Sequence, residues 1–142
     1  MIVYLDTNVY CRPLDDRSQP RINLEAEASL NILKAIETGS IKSITSDILK
    51  LEVYHADPIK KIYIIPYLAL SNKHTRENER IKNSAIALQQ KYRIESRDAL
   101  HLASAIEGRA KYFITCDDEL IKKSNKIMDI KIINPIEYLK EF

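Results

Sequence analysis

Short β-rich apolar runs alternate with longer amphipathic stretches along the whole chain, and the residues that tight hairpins require are scarce: 142 residues hold two Gly and five Pro. Antiparallel strands are commonly joined by Gly-bearing two-residue turns, whereas parallel strands are joined by helical crossovers. The alternation therefore predicts an α/β fold: a three-layer sandwich with a central, mainly parallel β-sheet flanked by helices. Ile2 to Leu5, Ile41 to Ile44, Lys111 to Thr115 and Ile130 to Ile133 read as strands. Between them, apolar positions recurring every three to four residues predict a helix from Ile22 to about Thr38, with Gly39 as its terminating residue. Thr45-Ser46 offers the N-cap of a helix to about Ala56, Asp57-Pro58 opens another that Pro66 ends or kinks, and Thr75 caps a helix to about Tyr92. Ser96 opens a helix to about Arg109, a short one runs from about Glu119 to Lys126, and a final one starts at Pro135. Residues 1–142 read as a single domain, long enough to bury a core without disulfide or metal staples.

Composition excludes several classes. With 45% hydrophobic residues the chain is not disordered, and its longest apolar run, Ile62 to Leu70, carries Pro66 and is far shorter than the ~20 residues of a membrane span. The N-terminus meets Asp6 at once, without a basic segment or a cleavage site, so the expected location is cytoplasmic. Cys11 and Cys116 show no CxxC or Cys/His spacing and read as two free, buried or half-buried thiols. A net charge of +2 announces no nucleic-acid partner, so any such contact must come from local clusters. Lys73, Arg76, Arg80 and Lys82 form one cluster and Lys122, Lys123 and Lys126 another, open to a reading as RNA contacts or as solvated faces.

In parallel sheets ligands sit beyond the carboxyl ends of the strands. Asp6 directly follows the first strand and Asp117 the third; Asp98 stands in the first turn of a helix and Glu52 lies on another. Carboxylates ~5 Å apart repel by roughly 3 kcal/mol per pair at an effective dielectric of 20, so four converging acids call for a cation. Mg²⁺ or Mn²⁺ suits an all-oxygen set, while His55, His74 and His101 lack zinc-ligand spacing with one another or with cysteine. Four such charges can balance two divalent ions and leave room for a phosphate and an attacking water, which points to phosphoryl-ester cleavage. A phosphatase using Asp6 as nucleophile is disfavoured, because Asn8 stands where a second Asp is wanted. His101 follows Asp98 by three on one helix face; a hydrogen-bonding or packing role is favoured there over that of a general base.

Asp6-Thr7-Asn8 after an N-terminal strand, Glu52 on a helix after a Thr-Ser step, Ser96-Arg97-Asp98-Ala99-Leu100-His101-Leu102-Ala103, and Ile114-Thr115-Cys116-Asp117 together resemble the PIN-domain nucleases, including the VapC-like toxins of toxin–antitoxin pairs. The resemblance spans essentially the whole chain. It implies a metal-dependent endoribonuclease acting on RNA, an antitoxin protein partner and a homodimer. Under it, Asp6 and Asp98 are the principal metal ligands, Glu52 holds metal through water or orients the attacking water, and Asp117 completes the set, with Asp118 beside it as a substitute. Asn8 and Thr115 would orient carboxylates or bind phosphate. Where many relatives continue after Asn8 with an apolar helical stretch, Cys11 to Arg21 reads here as a charged loop with two prolines. Its Arg12, Arg17 and Arg21 are open to two readings, phosphate contacts at the mouth of the site or pairs with Asp15 and Asp16. A non-catalytic nucleic-acid- or protein-binding module of the same family, and a DNA-directed nuclease of the same fold, are the alternatives.

Overall fold

The structure, a computed structural model, describes residues 2–141. Five strands form one sheet: β1 (Ile2–Leu5), β2 (Lys42–Ser46), β3 (Lys73–Thr75), β4 (Tyr112–Ile114) and β5 (Lys131–Ile133), in the order β3-β2-β1-β4-β5 with every neighbouring pair parallel. Helices make the crossovers, α1 (Thr7–Cys11), α2 (Pro20–Glu37), α3 (Asp47–Tyr54), α4 (Pro58–Ala69), α5 (Glu79–Tyr92), α6 (Ser96–Glu107) and α7 (Asp118–Ser124), and α8 (Pro135–Lys140) follows β5. The parallel α/β architecture is the expected one. β1 is the central strand, and Val3, Tyr4 and Leu5 are fully buried, as a strand covered on both faces requires. None of the described helices is long and apolar enough to cross a membrane.

Local chemistry explains the element ends. Ser46 caps α3 through Leu49 N–H at 3.2 Å, and Asp57 caps α4 through Lys60 N–H at 3.0 Å with Pro58 at the first helical position. Gly39 follows α2 at φ +83°, the left-handed conformation of a helix-terminating glycine.

Three expectations change. Thr75 does not cap a helix: it ends β3, a strand absent from the sequence reading, and Asn78 caps α5 through Ile81 N–H at 2.9 Å. Lys73-His74-Thr75 is short and polar because it is the sheet edge, paired on one side only with β2. The segment after Asp6 is not a plain loop: Thr7–Cys11 is helical, Arg12–Leu14 makes a 3-10 turn with Pro13 in it, and α2 starts at Pro20. Pro66 does not end its helix; α4 runs through it to Ala69.

Because β1 leads by crossovers to β2 and β3 on one side, and the chain then returns to place β4 on the other, the order of connections reverses between β1 and β4. At such a switch point the two outgoing loops diverge and leave a crevice at the carboxyl edge. Asp6 leaves β1, and Thr115 to Asp117 leave β4, at that crevice.

Candidate metal centre

Asp6, Glu52, Asp98 and Asp117 all line one open cleft of about 820 Å³ at this edge. They arrive on four different elements: the end of β1, the middle of α3, the first turn of α6 and the N-cap of α7. Asp6 is the deepest. Its Oδ1 accepts from Thr7 N–H at 2.8 Å, and its Oδ2 accepts from Thr115 Oγ1 at 2.8 Å and from Asn8 Nδ2 at 3.2 Å. Asn8 also donates to Thr115 Oγ1 at 3.1 Å and accepts from Cys116 N–H at 3.0 Å, so one amide ties the end of β1 to the end of β4. Asp117 N–H donates to Thr115 Oγ1 at 3.1 Å, while Asp117 Oδ1 caps α7 through Leu120 N–H at 3.1 Å.

Glu52 is anchored from two sides. Its Oε1 accepts from Thr7 Oγ1 at 2.5 Å and from His101 Nε2 at 2.6 Å, and its Oε2 lies 3.9 Å from Arg97 Nη1. His101, buried, stands 3.9 Å from Asp6 Oδ1. Ligand-capable atoms of Asp6, Glu52 and His101 lie within 4.8 Å of one another. That juxtaposition escapes a reading by ligand spacing, since His101 and Glu52 are 49 residues apart.

The charges crowd. Burial first, then the negative charges of Asp6 and Asp117, push the Asp98 carboxyl up to about 6. Burial also raises Asp6, against the opposing pull of His101 and of the Thr115 and Thr7 hydrogen bonds. For Glu52, burial works upward, but the hydrogen bond and charge of His101 together with Thr7 outweigh it and hold the carboxyl below its ordinary value. A divalent cation relieves the repulsion at Asp98, and the donors on offer are the carboxylate oxygens that Mg²⁺ and Mn²⁺ take. By that test the residues fit such an ion.

The remaining candidates separate. Asn8 and Thr115 lie against Asp6 as hydrogen-bonding partners. Asp118 does not join the cleft: it is exposed and paired with Arg21 at 2.8 Å, so it offers no replacement for Asp117 in this arrangement. Arg12 does not line the cleft: it pairs with Asp15, which does, at 3.0 Å and with buried Glu25 at 3.2 Å, so the pair with Asp15 is the one of its two readings that forms. Arg17 is engaged with Glu27 at 2.9 Å, and Arg21 with Asp118 and Glu25. The cations that do line the cleft are Lys60 and Arg97, which the sequence reading passed over even though Arg97 adjoins Asp98. In the basic clusters, Lys73 donates to Gly108 O at 3.0 Å, Arg80 pairs with Glu107 at 3.1 Å, and Lys123 pairs with Glu119 at 3.4 Å. Both cysteines are free, Cys11 half-buried and Cys116 buried.

No curated protein matches the chain. Among solved structures, a chain of a toxin-antitoxin complex from Klebsiella pneumoniae is similar in fold, with a TM-score of 0.63 and 22% identity over 94% of this chain and 97% of that one. The sequence profile of the PIN domain matches residues 3–126, a span that starts in β1, ends beyond α7 and carries Asp6, Glu52, Asp98 and Asp117. On that match, together with the acids at the sheet's switch point, the chain belongs to the PIN domain family.

Proposed function

We propose that the protein is a divalent-metal-dependent endoribonuclease that hydrolyses phosphodiester bonds in single-stranded or loop RNA, and that it is the toxin of a toxin–antitoxin pair. The observation that carries the reading is the convergence of Asp6, Glu52, Asp98 and Asp117 on one cleft, with the Asp98 carboxyl pushed up to about 6 by burial and by its neighbours' charge. Asp6, Asp98 and Asp117, with Glu52, would hold Mg²⁺ or Mn²⁺. Such ions supply charge neutralisation for the phosphate and a more acidic water.

The chain's own residues do the rest. Thr115 and Asn8 fix the rotation of the Asp6 carboxylate, so its oxygens are oriented before any ion arrives. Arg97, whose side chain is 76% exposed, and Lys60 are the cleft cations positioned to meet the phosphates that flank the cut. Water adds to phosphorus and the 3′ oxygen leaves with a proton, giving 5′-phosphate and 3′-hydroxyl ends. The name of the Klebsiella pneumoniae structure supports an antitoxin partner for this chain. Exposed Leu51, Tyr54, Ile59 and Ile62 on α3 and α4 provide apolar surface for protein contacts, including a homodimer of twice 16.4 kDa. With such a substrate and partner the site of action is the cytoplasm.

The test is incubation of the purified chain with a panel of structured and single-stranded RNAs in Mg²⁺, Mn²⁺ or EDTA, beside Asp6→Asn and Asp98→Asn. Metal-dependent cleavage that disappears in both folded variants is the expected result. Equal cleavage by wild type and variants, or none on any RNA, removes the reading.

A further inference from the structure

A continuous polar chain runs beneath the cleft. Leu49 N–H donates to Ser46 Oγ at 3.2 Å, Ser46 Oγ meets the Tyr4 hydroxyl at 2.5 Å, and that hydroxyl meets His101 Nδ1 at 2.6 Å. His101 Nε2 then reaches Glu52 Oε1 at 2.6 Å, where Thr7 Oγ1 also donates at 2.5 Å. Tyr4, Ser46 and His101 are buried, and the Tyr4 ring is held between Phe113, stacked at 5.3 Å, and His101, edge-on at 5.7 Å. Both ends of the chain lie on α3, at its N-cap and at Glu52, while its middle is drawn from β1 and α6.

Hydrogen-bond valence assigns the roles. An ionised carboxylate oxygen only accepts, so Nε2 of His101 carries the proton it shares with Glu52 Oε1. A nitrogen bearing that proton has no lone pair for a cation, and Nδ1 is engaged by Tyr4. With Oε1 occupied by two donors, Oε2 is the oxygen that remains, on the side of Arg97. Proximity to Asp6 and Glu52 makes His101 look like a third ligand, but its bonding excludes it.

We infer that His101, braced by Tyr4, is a positioning residue and not a metal ligand: with Thr7 it clamps Oε1 of Glu52, so that Glu52 serves the cleft through Oε2 alone. The clamp itself is a property of the metal-free fold; its effect on catalysis rests on the nuclease reading. Without it, Glu52 is free to rotate, which removes one oxygen from its working position while leaving the cleft cations Lys60 and Arg97 in place.

The experiment has three readouts. In metal-free protein, ¹⁵N NMR of the imidazole is expected to show a slowly exchanging proton on Nε2 of His101 that becomes fast in Glu52→Gln; an unprotonated or freely exchanging Nε2 overturns the clamp whether or not RNA is cut. With Mn²⁺ bound, pulsed EPR is expected to show no ¹⁴N coupling from a histidine ligand, and such a coupling lost in His101→Gln overturns it. In RNA cleavage, His101→Leu is expected to lower kcat by about 10- to 100-fold with little change in KM. His101→Gln, which retains an N–H donor, is expected to recover much of that loss, and Tyr4→Phe, a one-hydroxyl change that serves if the Leu variant does not fold, to fall between them. Loss expressed in KM alone, or no difference between Gln and Leu, overturns the proposal. If the wild type neither binds Mn²⁺ nor cleaves RNA, the nuclease reading fails and the NMR result alone decides the clamp.

Discussion

Asp98 carries a conflict between stability and function. Its folded carboxyl, pushed up to about 6 by burial and by Asp6 and Asp117, lies above the ordinary aspartate value of 3.8 that holds in the unfolded chain. As pH falls through about 6 the native protein takes up a proton that the unfolded chain still lacks, so metal-free stability rises on acidification from neutrality toward pH 4. For a half-buried carboxyl, after screening, the ionised form costs about 1–2 kcal/mol. Urea unfolding without metal should therefore find Asp98→Asn more stable than wild type by that amount at pH 7 and equal to it near pH 4; a variant less stable at pH 7 would show that the acids are not in conflict. Asn8 is the opposite case. Asn8→Ala removes two donors, to Asp6 and to Thr115, and the acceptor of Cys116 N–H, and should cost about 1–3 kcal/mol with a loss of about 10- to 100-fold in Mn²⁺ affinity by calorimetry. Asp6, Asp98 and Asp117 were legible because each stands at a strand end, a helix start or a helix cap, positions a sequence displays, whereas Glu52, inside α3, stood out only through the family resemblance. For Arg12 and His101 the kind of role was legible, a pair with Asp15 and a hydrogen-bonding histidine, but their partners across the fold were not. Their partners Glu25, Glu52 and Tyr4 lie on other elements and are set by packing, so neither residue type nor spacing announces them.

At the level of elements, β3 and α1 escaped the sequence, while the equally short β4 and β5 did not. β3 has three residues and little apolar pattern, and α1 is a five-residue helix capped by Asp6, the same side chain that serves the cleft. Elements this short are held by tertiary pairing more than by intrinsic preference. β3 is held in part at Gly108, where α6 turns toward β4. A Cβ there would lie 2.7 Å from Thr75 Oγ1 and 3.1 Å from Ile44 Cδ1, so the absence of a side chain lets the end of α6 approach the sheet. Gly108→Ala should lose about 1–3 kcal/mol in thermal or urea unfolding through overpacking. Thr75 Oγ1 is itself buried without a hydrogen-bond partner, so Thr75→Val, of similar shape, should be neutral or stabilising by about 1 kcal/mol. If Gly108→Ala leaves stability unchanged, the packing of α6 on β2 and β3 is looser than these distances imply.

For the molecule as a whole, the parallel α/β class followed from the alternation of elements and the scarcity of glycine, whereas the strand order β3-β2-β1-β4-β5 depends on which crossover packs on which side and left no trace in composition. That order makes the candidate metal centre and the fold one thermodynamic unit. An ion that binds only the assembled site should stabilise the chain by about 2.7 kcal/mol at 100 times its Kd, a rise in Tm of about 5–10 °C for a domain of this size. Differential scanning fluorimetry with Mn²⁺ should show that rise for wild type and not for Asp6→Asn. The hydrogen bonds that Thr115 donates to Asp6 and accepts from Asn8 cross between chain segments more than a hundred residues apart, and they exist only once β4 has joined β1. On the ribosome, then, the growing polypeptide has no competent centre until residues 115–117 have emerged and docked. Under the proposed ribonuclease reading, a chain of this topology is inert throughout most of its own synthesis, beside the very message that encodes it.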